Sequence, residues 1–321
     1  MKIFVTGAAG FIGHRVVLAL QDMGHDVYSC DSYQMYQTPH DPFNISKEKM
    51  SKIFHERIFN FHHIPVMCDI NERYSLMHLV EDIEPDIFIH LAAMSSAKLV
   101  KAHPKVGLEG LTSGLFNAIS AAIRAECKMF TYISSSTVYG KFTQNPQTVL
   151  APCSPTTMYG HYKLAGETMV AELAGGVLPY TILRPCAVYG PYDAGFRVIE
   201  RFLMQAARNL TITVNGVDEM VDFTYIDDCV SGIIKASLSE KSWYSTYNIS
   251  SGKPHTLLEA ASLAKEMVGS GVINITVPGT VSGRGRLDIA PAQADFGYDP
   301  QVDLAAGMRE TWTWMQQQRW T

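Results

Sequence analysis

The chain has 321 residues, 47% apolar and 18% charged, which is enough for a sizeable core in two lobes or one large α/β domain. A formal net charge of −5, with no run of Lys and Arg, leaves no basic face for nucleic acid. Met1 and Lys2 run straight into a strand with no secretory leader, and no segment reads as the roughly 20 apolar residues that a bilayer span needs.

The expectation is therefore a cytoplasmic enzyme with neither nucleic-acid nor membrane partners. Six scattered cysteines (Cys30, Cys68, Cys127, Cys153, Cys186, Cys229) form no C-x-x-C pair, so reduced thiols are expected and no metal site.

In chain order, residues 2–6 read as a strand, 11–23 as a helix and 26–30 as a second strand. Residues 34–60 then break the rhythm. They form a long polar insertion rich in His and aromatics, containing Asp41-Pro42, with 47–56 as a candidate helix. Strands follow at 64–68 and 86–90, with a helix at 73–84 between them. A long helix at 108–125 leads to a strand at 129–134, a helix at 155–174 and a strand at 180–184.

Strand and helix alternating in this way imply right-handed crossovers and a doubly wound, Rossmann-type α/β fold with a parallel sheet. Beyond residue 190 the alternation weakens. Residues 1–188 with about 217–240 read as the dinucleotide-binding domain, and about 189–216 with 241–321 as a smaller mixed C-terminal substrate lobe.

Between the first strand and first helix stands Thr6-Gly7-Ala8-Ala9-Gly10-Phe11-Ile12-Gly13. Glycines in that place let the backbone turn tightly and approach a pyrophosphate, while the helix N-terminal amides face the anion. The spacing is G-x-x-G-x-x-G, so the position between strand and helix carries the argument rather than the triplet alone. Asp31 ends the second strand, where a carboxylate accepts both ribose hydroxyls of adenosine and repels a 2′-phosphate. This favours NAD over NADP, although Arg15 stands nearby. Asp69 closes the third strand and is a candidate contact to the adenine.

Tyr159-Gly160-His161-Tyr162-Lys163 is a Y-x-x-x-K. On a helix, positions i and i+4 share a face, so the ammonium lies beside the phenol and favours its ionised form. With 15 tyrosines in the chain the spacing alone means little. Its context is Ser134-Ser135-Ser136 at the end of a strand about 20 residues upstream, where a switch-point crevice would open. A hydroxyl there can hydrogen-bond a reacting substrate oxygen, and at least one of the three serines is expected to serve only the loop.

Together these motifs resemble the extended short-chain dehydrogenase/reductase family, in its NAD-dependent sugar-nucleotide epimerase/dehydratase branch. His90-Leu91-Ala92-Ala93, Arg184 to Pro191, Asp222 to Asp228, Tyr247 to Gly252 and Gly297-Tyr298-Asp299-Pro300 with Trp312 extend the resemblance along nearly the whole chain. It implies that Ser135 and Tyr159 bind the reacting hydroxyl, with Ser136 and Arg286 toward the substrate. Lys163 would hold the nicotinamide ribose, and Cys186 would sit beside the nicotinamide. Gly7, Gly10, Phe11, Ile12, Gly13, Asp31, Asp69, Ile70, Leu91, Ala92, Ala93 and Ser95 would line the cofactor. It also implies a nucleotide-sugar substrate and a homodimer formed by the helix at 108–125 and the Tyr-Lys helix.

Ser136 and Thr137 stand where the family's dehydratases carry Asp-Glu, which disfavours elimination and leaves 4-epimerisation on tightly held NAD as the leading expectation. The alternatives are a net sugar oxidoreductase on a non-standard substrate and a non-enzymatic dinucleotide sensor. Ala187, Val221 and Leu111 replace an Asn, an Arg and an Asn usual in the family, and the first two of those usual residues commonly contact the diphosphate-nucleotide. Arg284 and Arg286 remain as phosphate candidates. The insertion after Asp31, with Tyr36, Asp41-Pro42 and Arg57, resembles the polar aromatic loop of uronic-acid epimerases, or else is a surface loop over the adenosine.

Overall fold

The computed structural model describes residues 1–39, 41, 43–195, 197–216, 218–276 and 283–318; Pro42 of the insertion lies outside them. The first half runs β1 (Lys2–Thr6), α1 (Gly13–Asp22), β2 (Asp26–Asp31), α2 (Lys47–Ile58), β3 (Val66–Met67), α3 (Arg73–Ile83) and β4 (Ile87–His90). Next come α4 (Ala97–Ala102), α5 (Pro104–Leu108), a π turn (Glu109–Ser113), α6 (Gly114–Arg124), β5 (Met129–Ile133), α7 (Met158–Ala174) and β6 (Tyr180–Pro185). The rest comprises β7 (Val188–Tyr189), α8 (Val198–Ala207), β8 (Thr211–Asn215), β9 (Met220–Val221), β10 (Thr224–Tyr225) and α9 (Ile226–Ser237). It ends with β11 (Ser245–Ile249), β12 (His255–Thr256), α10 (Leu257–Val268), β13 (Val272–Thr276), α11 (Ala290–Phe296) and α12 (Leu304–Gln317).

Seven parallel strands form one sheet in the order β11-β6-β5-β4-β1-β2-β3, so the chain reverses its direction of winding between β1 and β4. The strand period of two separates the layers. Ile3 and Val5 enter the core shared with Val16, Val17 and Leu20 of α1, whereas Phe4 enters the opposite core with Phe88 and Phe130. Those three rings pack across neighbouring strands, Phe4 tilted on Phe88 and Phe88 stacked on Phe130, with centroids 5.2 and 5.3 Å apart. Burial on both faces is why these strands read as unbroken apolar runs, and each fully buried side chain of this size contributes about 1.5–3 kcal/mol.

Four boundaries differ from the sequence reading. The strand at 64–68 shrinks to Val66–Met67, an exposed edge pair that meets only β2. The helix at 155–174 begins at Met158, because Thr157 is extended and its hydroxyl accepts the Gly160 amide at 3.2 Å. The helix at 108–125 begins at Pro104, and the 21-residue run Pro104–Arg124 does have the length and apolarity of a bilayer span. Half of it is buried inside the protein, as in a core helix. The segment 241–321, assigned above to the lobe, supplies β11 to the central sheet, where Ser245 to Ile249 pair with Thr181 to Pro185. The remaining short strands pair as β7 with β10, β9 with β12 and β8 with β13, flanked by α8, α10 and α12.

Candidate active site

A crevice of about 540 Å³ opens at the carboxyl ends of the strands, across the β1/β4 reversal. It brings together every cofactor residue expected from the sequence except Cys186. Close packing explains the glycine turn. Gly7 has φ +72°, and a Cβ there would meet the Ala92 amide nitrogen at 2.7 Å. A Cβ on Gly13 would meet the Gly7 carbonyl at 2.1 Å. The turn thus lies close against the β4 end, and Gly7 and Gly10 to Gly13 line the crevice.

At the adenosine end, Asp31 accepts the Ala9 amide at 2.9 Å and the Tyr33 amide at 2.8 Å, one on each oxygen. Each oxygen keeps a lone pair for a ribose hydroxyl. Burial raises the Asp31 pKa, while these amides and the Arg57 charge oppose it. Arg15, the residue that argued for a 2′-phosphate, is engaged elsewhere, donating to Asp227 at 2.5 and 2.9 Å. Asp69 accepts from Asn71 and, at 3.2 Å, from the Gln34 amide of the insertion. The donor set therefore fits NAD.

The insertion is part of this wall. Its helix α2 is capped by Ser46, and Met50, Phe54 and Arg57 line the crevice with Gln34 and Tyr36. Arg57 is buried and donates to the Ala9 carbonyl at 2.7 Å and the Tyr192 carbonyl at 2.6 Å. Burial lowers its pKa to about 10 despite Asp193 and Asp31 nearby. Asp41 accepts from Lys98 and Arg201 at 2.7 and 2.8 Å, which anchors the loop's other arm.

At the reacting end, α7 presents Tyr159 and Lys163 on one face. The Lys163 ammonium donates to the Ile133 carbonyl at 2.6 Å and lies 5.0 Å from the Tyr132 ring. Burial draws its pKa down to about 7, with Glu167 opposing. Burial pushes the Tyr159 phenol up, while the Arg197 charge and the Ser135 hydroxyl pull it back toward ionisation.

The three serines divide. Ser134 donates to Glu167 at 2.5 Å and is structural. Ser135 faces Tyr159 and accepts from the Thr137 amide and hydroxyl at 3.2 and 3.0 Å. Ser136 lines the crevice against Cys186.

Behind Lys163 lies an ion pair that the sequence reading missed. Arg184 meets both oxygens of Glu167, at 2.9 and 2.6 Å, with both side chains under 10% exposed. The Arg184 guanidinium covers the Tyr139 ring at 4.8 Å.

Two expectations need correction. Cys186 does not line the crevice. It is 1% exposed in a small cluster with Val138, Tyr139 and Leu287, and burial pushes its thiol up to about 11. Its neighbours Pro185 and Ala187 line the crevice instead, where the chain leaves β6 and bends at Ala187 (φ +41°). Arg286 is also outside it: its carbonyl pairs with the Gln147 amide at 2.8 Å and its side chain is exposed, whereas Arg284 lines the crevice. Ala187 faces the crevice, Val221 is buried in the core, and Leu111 packs with Met94 and Val100. Among the described residues no group of three or more His, Cys, Asp or Glu is placed to hold a metal ion.

A crevice of this build belongs to an NAD-dependent enzyme. Residues 3–250 match the model of the NAD dependent epimerase/dehydratase family, and the chain belongs to that family. It is 30% identical to the uncharacterized UDP-glucose epimerase YtcB of Bacillus subtilis, over 96% of each chain. It is 28% identical to UDP-glucuronate 4-epimerase 6 of Arabidopsis thaliana, over 98% of this chain and 71% of the relative. The crystal structure of UDP-glucuronic acid 4-epimerase from Bacillus cereus with UDP-glucuronic acid and NAD superposes with a TM-score of 0.86 at 27% identity, covering 99% of each chain.

Proposed function

We propose that the protein is an NAD-dependent nucleotide-sugar 4-epimerase acting on a UDP-hexose or UDP-hexuronate. The observation that carries this reading is the convergence of Ser135, Tyr159 and Lys163 on a crevice whose far end fits NAD. NAD, when bound, would supply a reversible hydride acceptor for the sugar's C4. Tyr159 removes the C4 hydroxyl proton and returns it after the keto sugar has turned its other face. Ser135 hydrogen-bonds the same oxygen, and Lys163 keeps positive charge beside the phenol and the nicotinamide ribose. Arg284 is the crevice cation left to meet the diphosphate, in place of the polar residues lost at 187 and 221.

Residues 1–188, 217–240 and β11 form the cofactor side in this reading, and the remaining C-terminal segments form the sugar side. A homodimer through α6 and α7 is part of the same proposal, supported by Leu108, Phe116 and Met158 standing exposed on adjoining helices. A cytoplasmic location is proposed from six free cysteines.

The test is incubation with UDP-glucuronic acid and UDP-glucose, following the 4-epimer by NMR and NADH by absorbance. Epimer formation without net NADH supports the reading, and Tyr159→Phe is expected to lose at least a hundredfold in kcat. Stoichiometric NADH release would identify a net dehydrogenase instead.

A further inference from the structure

Arg197 stands at the start of α8, where its half-buried side chain lines the crevice from the lobe side. The guanidinium carbon lies 5.5 Å from the centre of the Phe11 ring, and Phe11 lines the crevice with Gly10, Ile12 and Gly13 of the glycine turn. Nη1 donates to Asp193 at 2.6 Å. Asp193 is 2% exposed and is held in turn by the Gly195 amide at 2.8 Å. A ring on one face and a carboxylate at one nitrogen thus fix the cation beside the turn.

The remaining donors, Nε and Nη2, find no acceptor among the described residues. That edge of a guanidinium is the one Arg184 turns on Glu167, through Nε at 2.9 Å and Nη2 at 2.6 Å, and it presents two parallel N–H groups. The other cations of the crevice are engaged differently. Arg57 spends both terminal nitrogens on the Ala9 and Tyr192 carbonyls, and Lys163 donates to the Ile133 carbonyl. Arg284 is assigned above to the substrate. The glycine turn itself offers a pyrophosphate only neutral amides, whereas a fork of two charged N–H groups beside it matches two phosphate oxygens.

We propose that Arg197 is a binding residue for the cofactor's diphosphate, holding it from the lobe side against the amides of the glycine turn. Phe11 and Asp193 orient the fork. The lobe then grips the cofactor as well as the sugar. This goes beyond the epimerase reading and is decided by nucleotide binding alone, so a protein inactive on every UDP-sugar still answers it.

The test uses the full chain in wild-type, Arg197→Met and Arg197→Lys forms, with Tm recorded for each. Calorimetric titrations use NAD and ADP-ribose, which keeps the diphosphate without the nicotinamide. Adenosine, which lacks both, is titrated by NMR, and UDP-glucuronic acid is titrated into the NAD-loaded protein. Arg197→Met is expected to lose about ten- to a hundredfold in affinity for NAD and for ADP-ribose, with adenosine unchanged. Arg197→Lys keeps the charge without the fork and should regain only part of that loss. Arg197→Met strands the buried Asp193, so Arg197→Met combined with Asp193→Asn supplies the same readout if the single variant unfolds.

Unchanged affinity for NAD and ADP-ribose in the folded variant overturns the inference. An equal loss for adenosine does so too, since the damage then reaches the whole site. Weakened UDP-glucuronic acid beside unchanged NAD also overturns it, and makes Arg197 a substrate anchor.

Discussion

Glu167→Gln separates the support of Lys163 from the chemistry proposed for it. Glu167 takes both arms of Arg184 and the Ser134 hydroxyl in a place where neither charged partner is more than 8% exposed. Glutamine keeps the shape and one acceptor. It turns an N–H toward the Arg184 Nη2, however, and leaves the guanidinium without a counter-charge. Breaking a buried pair from one side costs about 3–5 kcal/mol. With about 0.7 kcal/mol per kelvin of unfolding entropy for 321 residues, this lowers Tm by about 4–7 °C.

The same substitution removes the charge that supports the Lys163 ammonium, whose pKa is already drawn down to about 7. The alkaline limb of kcat should then move to lower pH, because the lysine loses its proton sooner. Thermal unfolding with saturating NAD, beside a pH–rate profile, measures both. A Tm within 1 °C of wild type, with the alkaline limb unmoved, would refute the claim that this pair holds and tunes Lys163.

Asp31→Ala is expected to weaken NAD by roughly ten- to a hundredfold, the worth of one or two charge-assisted hydrogen bonds, and to narrow the gap to NADP. Calorimetric titration of both cofactors checks this, and an unchanged NAD affinity would remove Asp31 from the ribose. His14 and His90 are buried neutral, with pKa values lowered to about 3 by burial and by nearby Arg57 and Lys163 respectively. The unfolded chain binds their protons near pH 6.5 and the folded one does not, so stability present above that pH is lost as pH falls toward 3. About 4 kcal/mol should disappear between pH 7 and 5 from the two together. Urea unfolding across that range measures it, and a flat profile would show that these rings find proton acceptors in the folded state.

The parallel sheet was legible because strands buried on both faces carry unbroken apolar runs, as in Ile3-Phe4-Val5 and Ile87-Phe88-Ile89. The glycine turn and Asp31 were legible because backbone geometry and ribose recognition each demand a residue type at a fixed point. Arg197, at the start of α8, was not, since its place on the crevice wall is set by the packing of that helix rather than by a motif. The Glu167–Arg184 pair spans two elements, and a charged residue inside a helix ordinarily reads as solvated. Cys186 was misplaced because the chain bends at Ala187 just past β6, and nothing in the residue types marks that bend.

The bridge made by Arg57 bears on traffic through the enzyme. One side chain joins the carbonyl of Ala9, in the phosphate turn, to that of Tyr192, beyond β7, and it rises from a helix that walls the adenosine end. A dinucleotide held beneath such a bridge would exchange slowly. A dehydrogenase working with a shared cofactor pool would pay for such a bolt at every cycle. An epimerase ends each cycle with its dinucleotide in the starting oxidation state, and residence far longer than a turnover costs it nothing.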